Sequence, residues 1–177
     1  MLSKEMEKAI SDQINFEYFS AYLYLGMAAG MEELGYSGAA HWMRTQAKEE
    51  LFHGTKLYEY VVSRDGKITF DAIKKVKTEY KTVLEAFESA YEHEKEETQR
   101  FCELTDLALS TKDHVTNSVF QWFLTEQIEE EDSVRTIADR LKLIKNMPDA
   151  LYQLDSELAA RVLPPSVNLL DASGSGE

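Results

Sequence analysis

Apolar positions recur along this chain in alternating steps of four and three, the spacing that lines one face of an α-helix. From about Lys4 to Glu33 the inward seam reads Ile10, Ile14, Glu17, Ala21, Tyr24, Ala28, with Ser3 placed to cap the first turn. After the break Gly35-Tyr36-Ser37-Gly38 a second helical pattern covers about 37–64, with Ser37 as candidate cap. Its seam reads Ala39, Met43, Gln46, Glu50, His53, Leu57, Tyr60. A connection this short makes the two helices antiparallel neighbours.

Arg64-Asp65-Gly66-Lys67 ends the second pattern, and about sixteen residues of weak periodicity follow. Extended, they reach roughly 50 Å, against roughly 42 Å for a helix of about 28 residues, so they can cross a whole bundle. The third helix then starts parallel to the second, at the capping-box tetrad Thr82-Val83-Leu84-Glu85. It runs to about Ser110 with the seam Val83, Phe87, Ala90, Glu94, Glu97, Phe101, Leu104, Ala108. Ser110-Thr111-Lys112-Asp113 is a tight turn, and Asp113 or Thr111 can cap a fourth helix reaching about Lys145. That helix turns Val119, Phe123, Glu126, Glu130, Val134, Ile137, Leu141 and Ile144 inward. A short fifth helix starts near Pro148, which suits a first turn, and ends near Arg161. Residues 162–177, with Pro164-Pro165 and Ala172-Ser173-Gly174-Ser175-Gly176, read as a disordered tail. The expectation is an all-α chain: one domain over 1–161, a four-helix bundle with a long crossover and a short fifth helix.

Composition narrows the function. With 32 acidic against 19 basic residues and a net charge of −13, the chain lacks the basic surface that nucleic acid requires. An acidic surface or cavity that draws cations is compatible with this balance. Cys102 is the only cysteine, so no intrachain disulfide forms and a reducing cytoplasm is the expected setting. The opening Met1-Leu2-Ser3-Lys4-Glu5 has no apolar signal core. No apolar run approaches the ~20 residues that span a bilayer, so no membrane partner is expected.

The candidate chemistry lies in positions that break the hydrophobic pattern. Glu50 and His53, three residues apart, share one helix face and fall on a seam that should meet the core. An unpaired buried carboxylate costs several kcal/mol or more. Glu17, Glu94 and the stretch Glu126 to Glu130 repeat the anomaly, each near the middle of its helix. Helix midpoints in an antiparallel bundle lie at one level, so at least four carboxylates and one imidazole share a core layer. Like charges so close do not all stay ionised without something positive among them, and two divalent cations balance four carboxylates. Oxygen-rich ligation with one imidazole suits iron or manganese better than structural zinc. A zinc-protease pattern needs a second histidine four residues from the first, and His41, His93 and His114 fall off the seams.

With Glu17, Glu49-Glu50-x-x-His53, Glu94 and Glu126-Gln127-x-Glu129-Glu130, the chain over 1–161 resembles the bacterial non-haem ferritins. The fourth helix carries Gln127-x-x-Glu130 where bacterioferritins and rubrerythrins have a second Glu-x-x-His. The resemblance implies a first iron site at Glu17, Glu50 and His53, with Glu50 bridging to a second that adds Glu94 and Glu130. Gln127 would lie near the open positions where the oxidant binds. Glu49, Glu126 and Glu129, with Glu130, match a third iron site, and Tyr24 and Trp122 match the aromatic pair beside the centre. Phe52 stands where a haem-binding relative has its methionine ligand, which rules out haem at that position. The implied function is a ferroxidase: Fe(II) oxidised by O2 or H2O2 and stored as Fe(III) oxyhydroxide in a homo-oligomeric 24-subunit shell. The alternatives are a di-iron peroxidase or oxygenase without mineral storage, and an encapsulated cargo or scaffold docked by its tail.

Overall fold

A computed structural model of the chain describes residues 2–144, 146–164 and 167. Among the described residues five helices follow in order: α1 (Lys4–Glu33), α2 (Ser37–Ser63), α3 (Val83–Ser110), α4 (His114–Ile144) and α5 (Pro148–Leu158). Helices α1 and α2 pack along their lengths as one antiparallel pair, and α3 and α4 as the other. Most of the tail expected to be disordered, namely 165, 166 and 168–177, lies outside the described residues, as does Lys145. Among the described residues no helix is long and apolar enough to cross a membrane.

The helix ends follow local chemistry at three of four N-termini of the bundle. Ser3 Oγ accepts from Met6 N at 3.1 Å, and Thr82 Oγ1 accepts from Glu85 N at 3.1 Å. Glu85 reaches back one residue further than a capping box requires, accepting from Lys81 N at 2.8 Å. At α4 the cap is Asp113, which accepts from Thr116 N and from its hydroxyl at 3.1 and 2.6 Å. Thr111 is not a cap there; its hydroxyl closes the end of α3 by donating to Leu107 O at 2.9 Å. Gly35, at φ +83°, takes the left-handed turn that ends α1.

The N-terminus of α2 departs from expectation. Ser37 is its first residue and does not cap it, and Tyr36 in the cap position makes no side-chain bond. Asp155 of α5 caps instead, accepting from Gly38 N at 3.1 Å and Ala39 N at 2.8 Å. A β-carbon on Gly38 would lie 1.7 Å from Asp155 O, so this approach needs glycine.

The crossover runs the length of α1. Thr69 N donates to Ser11 Oγ and Asp71 N to Asn15 Oδ1 near its start. Further along, Lys77 O and Thr78 O come too close to Gly26 and Gly30 to leave room for β-carbons there. That path reverses direction, so α3 enters parallel to α2. The apolar core divides into two clusters. One gathers Tyr24, Met27, Met43, Phe87, Val134 and Leu141 with residues of α5; the other gathers Met6, Ile10, Ile14, Leu57, Phe101 and Phe123. Between them lies a polar layer.

Candidate metal centre

Each helix of the bundle contributes to that layer from its middle. Glu17, Glu50, Glu94 and Glu97 are fully buried, His53 and Gln127 nearly so, and the Glu130 side chain is 11% exposed. Ligand atoms of Glu17, Glu50, His53 and Glu97 lie within 4.8 Å of one another, and so do those of Glu50, Glu94 and Glu130. Glu50 belongs to both groups. The His53 ring is central: Nδ1 lies 3.7 Å from Glu50 Oε2 and 4.0 Å from Glu17 Oε2, and Nε2 lies 3.7 Å from Glu130 Oε1. These spacings are too long for hydrogen bonds.

The protein leaves these atoms unsatisfied. Glu17 Oε2, Glu50 Oε2, His53 Nδ1, both Glu97 oxygens, Gln127 Oε1 and Glu130 Oε2 are buried without a hydrogen-bond partner. Orphaned groups of this kind each cost about 1–3 kcal/mol, more when charged. Six of them, five oxygens and one nitrogen, belong to the two ligand groups and form the donor set of a hard or borderline divalent pair. The residues therefore fit a dinuclear cation site. Close helix approach makes it possible: a β-carbon on Gly54, next to His53, would fall 2.6 Å from the Tyr18 ring and 3.2 Å from Glu17 Cβ.

Electrostatics mark the same place. Burial raises Glu17 to about 7, partly opposed by His53. Burial, then the Glu50 charge, raises Glu94 to about 8. Glu97 and Glu130 are pushed well above the carboxylate range by burial and by the surrounding carboxylates. Burial works against a charged His53, but the adjoining Glu50 prevails, with Glu17 and Glu49, and raises it to about 9. Burial also works against Glu50, and His53 nonetheless holds it below its ordinary value. Without cations the His53 and Glu50 charges favour each other, while burial favours the protonated form of the surrounding carboxyls.

The other residues singled out from the sequence fall around this layer. Tyr24 donates its hydroxyl to Glu94 Oε1, and Gln127 Nε2 donates to Glu94 Oε2 at 3.2 Å. Trp122 is half-buried, its ring edge-on to His53 at 5.7 Å and under Lys56 Nζ at 3.9 Å. Phe52 packs against Trp122. Glu49, Glu126 and Glu129 fall in neither ligand group. Glu49 is buried and ion-paired with Arg161, Glu126 is half-buried and Glu129 is exposed. His93 is a packing histidine, bonded to Ser20 Oγ at 2.7 Å and stacked on Phe16. His114 is exposed at the start of α4, and His41 Nε2 meets Arg161 O at 2.8 Å.

Glu97 was not among the sequence candidates for ligation. The signal was present, since it stands on the α3 seam three residues after Glu94, one turn on and on the same face.

The geometry has relatives. A family model described as a ferritin-like domain matches residues 7–144. A bacterial non-heme ferritin of Staphylococcus epidermidis is 44% identical over 161 residues, 91% of this chain and 97% of its own length. The corresponding protein of Staphylococcus aureus is 41% identical over the same span. Among solved structures, the open-pore ferritin of the hyperthermophilic archaeon Archaeoglobus fulgidus superimposes with a TM-score of 0.90 at 41% identity, covering 92% of this chain and all of its own. A form of that protein engineered to be closed gives a TM-score of 0.91 at 40% identity.

Proposed function

The chain belongs to the ferritin family, with the bacterial non-haem ferritins, and from that premise we propose that it is an iron-storage ferroxidase acting within residues 1–161. The single observation that carries the proposal is the convergence of orphaned, buried carboxylates and one imidazole from four helices on two adjoining points that share Glu50.

Iron is the substrate. One Fe(II) is held by Glu17, Glu50 and His53 and a second by Glu50, Glu94 and Glu130, with Glu97 beside the first. Binding expels the proton of His53 and those retained by the carboxyls, so these groups exchange protons for cations. Each Fe(II) then gives up one electron to dioxygen or peroxide. Anionic oxygen ligands favour the more highly charged Fe(III), so the site stabilises product over substrate. Gln127, anchored through its amide nitrogen on Glu94, keeps Oε1 free beside the pair. Tyr24, bonded to Glu94, can give up its proton there if the ring supplies an electron.

Hydrolysed Fe(III) would pass toward a store by way of Glu49, Glu126 and Glu129 as a third, weaker cation site. A store needs a shell, and the outer face of the α1–α2 pair carries exposed Tyr22, Leu25, Leu51 and Tyr58, with Phe70 of the crossover. Such a face supports assembly with further copies, a 24-mer by analogy with the family. We place the protein in the cytoplasm, and Phe52 leaves no haem ligand at its position.

Size-exclusion chromatography with iron quantitation, after anaerobic Fe(II) loading and exposure to air, tests the reading. A particle of about 24 chains carrying many iron atoms per chain is expected. An oxidising protein that retains only two irons per chain would favour the peroxidase or oxygenase alternative.

A further inference from the structure

The two oxygens of Glu17 and of Glu50 are not equivalent. In each carboxylate Oε1 is bonded and Oε2 is orphaned toward the ligand group. In each, the donor to Oε1 is a buried glutamine four residues earlier on the same helix: Gln13 Nε2 at 3.0 Å for Glu17 and Gln46 Nε2 at 3.0 Å for Glu50.

Both glutamines are in turn held by an arginine from elsewhere in the chain. Arg100 Nε of α3 donates to Gln13 Oε1 at 2.9 Å. Arg161, just beyond α5, donates to Gln46 Oε1 at 2.7 Å. Each guanidinium lies over an aromatic ring of the helix it serves, Arg100 over Phe16 at 4.2 Å and Arg161 over Trp42 at 4.0 Å. The same three-part chain therefore occurs twice, once on each helix of the α1–α2 pair.

An amide side chain can turn either end toward a neighbour. Guanidinium offers only donors, so it selects the amide oxygen and leaves the NH2 facing the carboxylate. The carboxylate is then fixed by one oxygen and offers the other to a cation. We propose that Arg100 and Arg161 are positioning residues for the dinuclear site, acting through Gln13 and Gln46 to orient Glu17 and Glu50 for ligation. The proposal rests on the ferroxidase reading of the same site. It assigns these four residues a role that the ligand set itself does not require.

Arg161 also pairs with Glu49, so the Arg100–Gln13 arm gives the cleaner test. Anaerobic titration with Co(II) reads affinity, and its visible spectrum reads coordination at the site, with no turnover needed. Arg100→Ala is expected to weaken binding by about ten-fold or more and to alter the spectrum. In a Gln13→Leu background the same substitution should change affinity by less than about two-fold, because the arginine acts only through the amide. Arg100→Lys, which still offers a donor, should restore part of the loss. Apo thermal denaturation of each variant is recorded alongside. Equal losses from Arg100→Ala in both backgrounds, or unchanged Co(II) binding in Arg100→Ala, would overturn the proposal. Should the parent itself bind no Co(II) pair, the ferroxidase reading fails instead.

Discussion

His53 Nδ1 lies 3.7 Å from Glu50 Oε2, one helical turn away, and neither atom has a hydrogen-bond partner. Two atoms able to ligate, on one face and close but unbonded, leave room for a cation between them. Glu50 is also the one residue common to both ligand groups.

Glu50→Ala should therefore remove the link between the two cations. Stopped-flow oxidation of a stoichiometric Fe(II) pair is expected to slow at least about 100-fold, since a charge-stabilising ligand is lost at both ions. The apo bundle should still fold with little change in melting temperature, because relief of the Glu50 charge acting on Glu94 and Glu130 opposes the loss of its pairing with His53. Undiminished oxidation would count against the bridging role.

Glu97 is buried with both oxygens orphaned beside Glu17 and His53. Glu97→Gln keeps the shape and removes the ionisable group. Cation affinity should fall about ten-fold, with the apo melting temperature held or raised. Calorimetric titration with Zn(II) checks it, and a curve identical to the parent's would make Glu97 a bystander.

The site makes apo stability depend on pH. Glu17 at about 7, Glu94 at about 8 and His53 at about 9 all lie above their unfolded values, so the folded state binds more protons in between. Stability from such groups is complete below the unfolded value and lost as pH rises through the folded one. Glu50, held low, has the opposite effect, and only on the acid side of its ordinary value. The apo melting temperature should thus fall from about pH 5 to about pH 9, and bound Zn(II) should abolish that slope by replacing the protons. A flat apo profile across this window would show that the layer does not hold its protons.

Glu49, Glu126 and Glu129 are expected to act after the pair. Replacing all three with Gln should leave the first two-iron oxidation intact while changing the iron-to-oxygen ratio and later turnover. Oxygen-electrode and stopped-flow measurements on one preparation would separate the two phases. Unchanged stoichiometry and turnover would show that the three hold no working cation.

Most of the architecture was legible because its causes are local. A period of 3.6 residues, interrupted at Gly35, at Asp65-Gly66 and at Lys112, places four long helices whatever their neighbours do. Glu17, Glu50, His53, Glu94 and Glu130 stood out for the same reason. Each occupies a register position reserved for apolar side chains, and burying it without a partner is too costly to be incidental.

What the sequence determined by itself was most of each inward face, and that carboxylates interrupt them at one level; on α4 it turned Val119 and Glu126 inward where the fold buries Phe120 and Gln127. Tertiary structure alone decided which groups from distant helices meet. Asp155 caps α2 from 117 positions beyond Gly38, displacing Ser37. Arg100 and Arg161 reach Gln13 and Gln46 across 87 and 115 positions, and Arg161 takes Glu49 out of the solvated face. A hydrogen bond fixes an atom to within a few tenths of an ångström, whereas periodicity fixes only the direction in which a side chain leaves its helix. Packing of the helices supplies the difference.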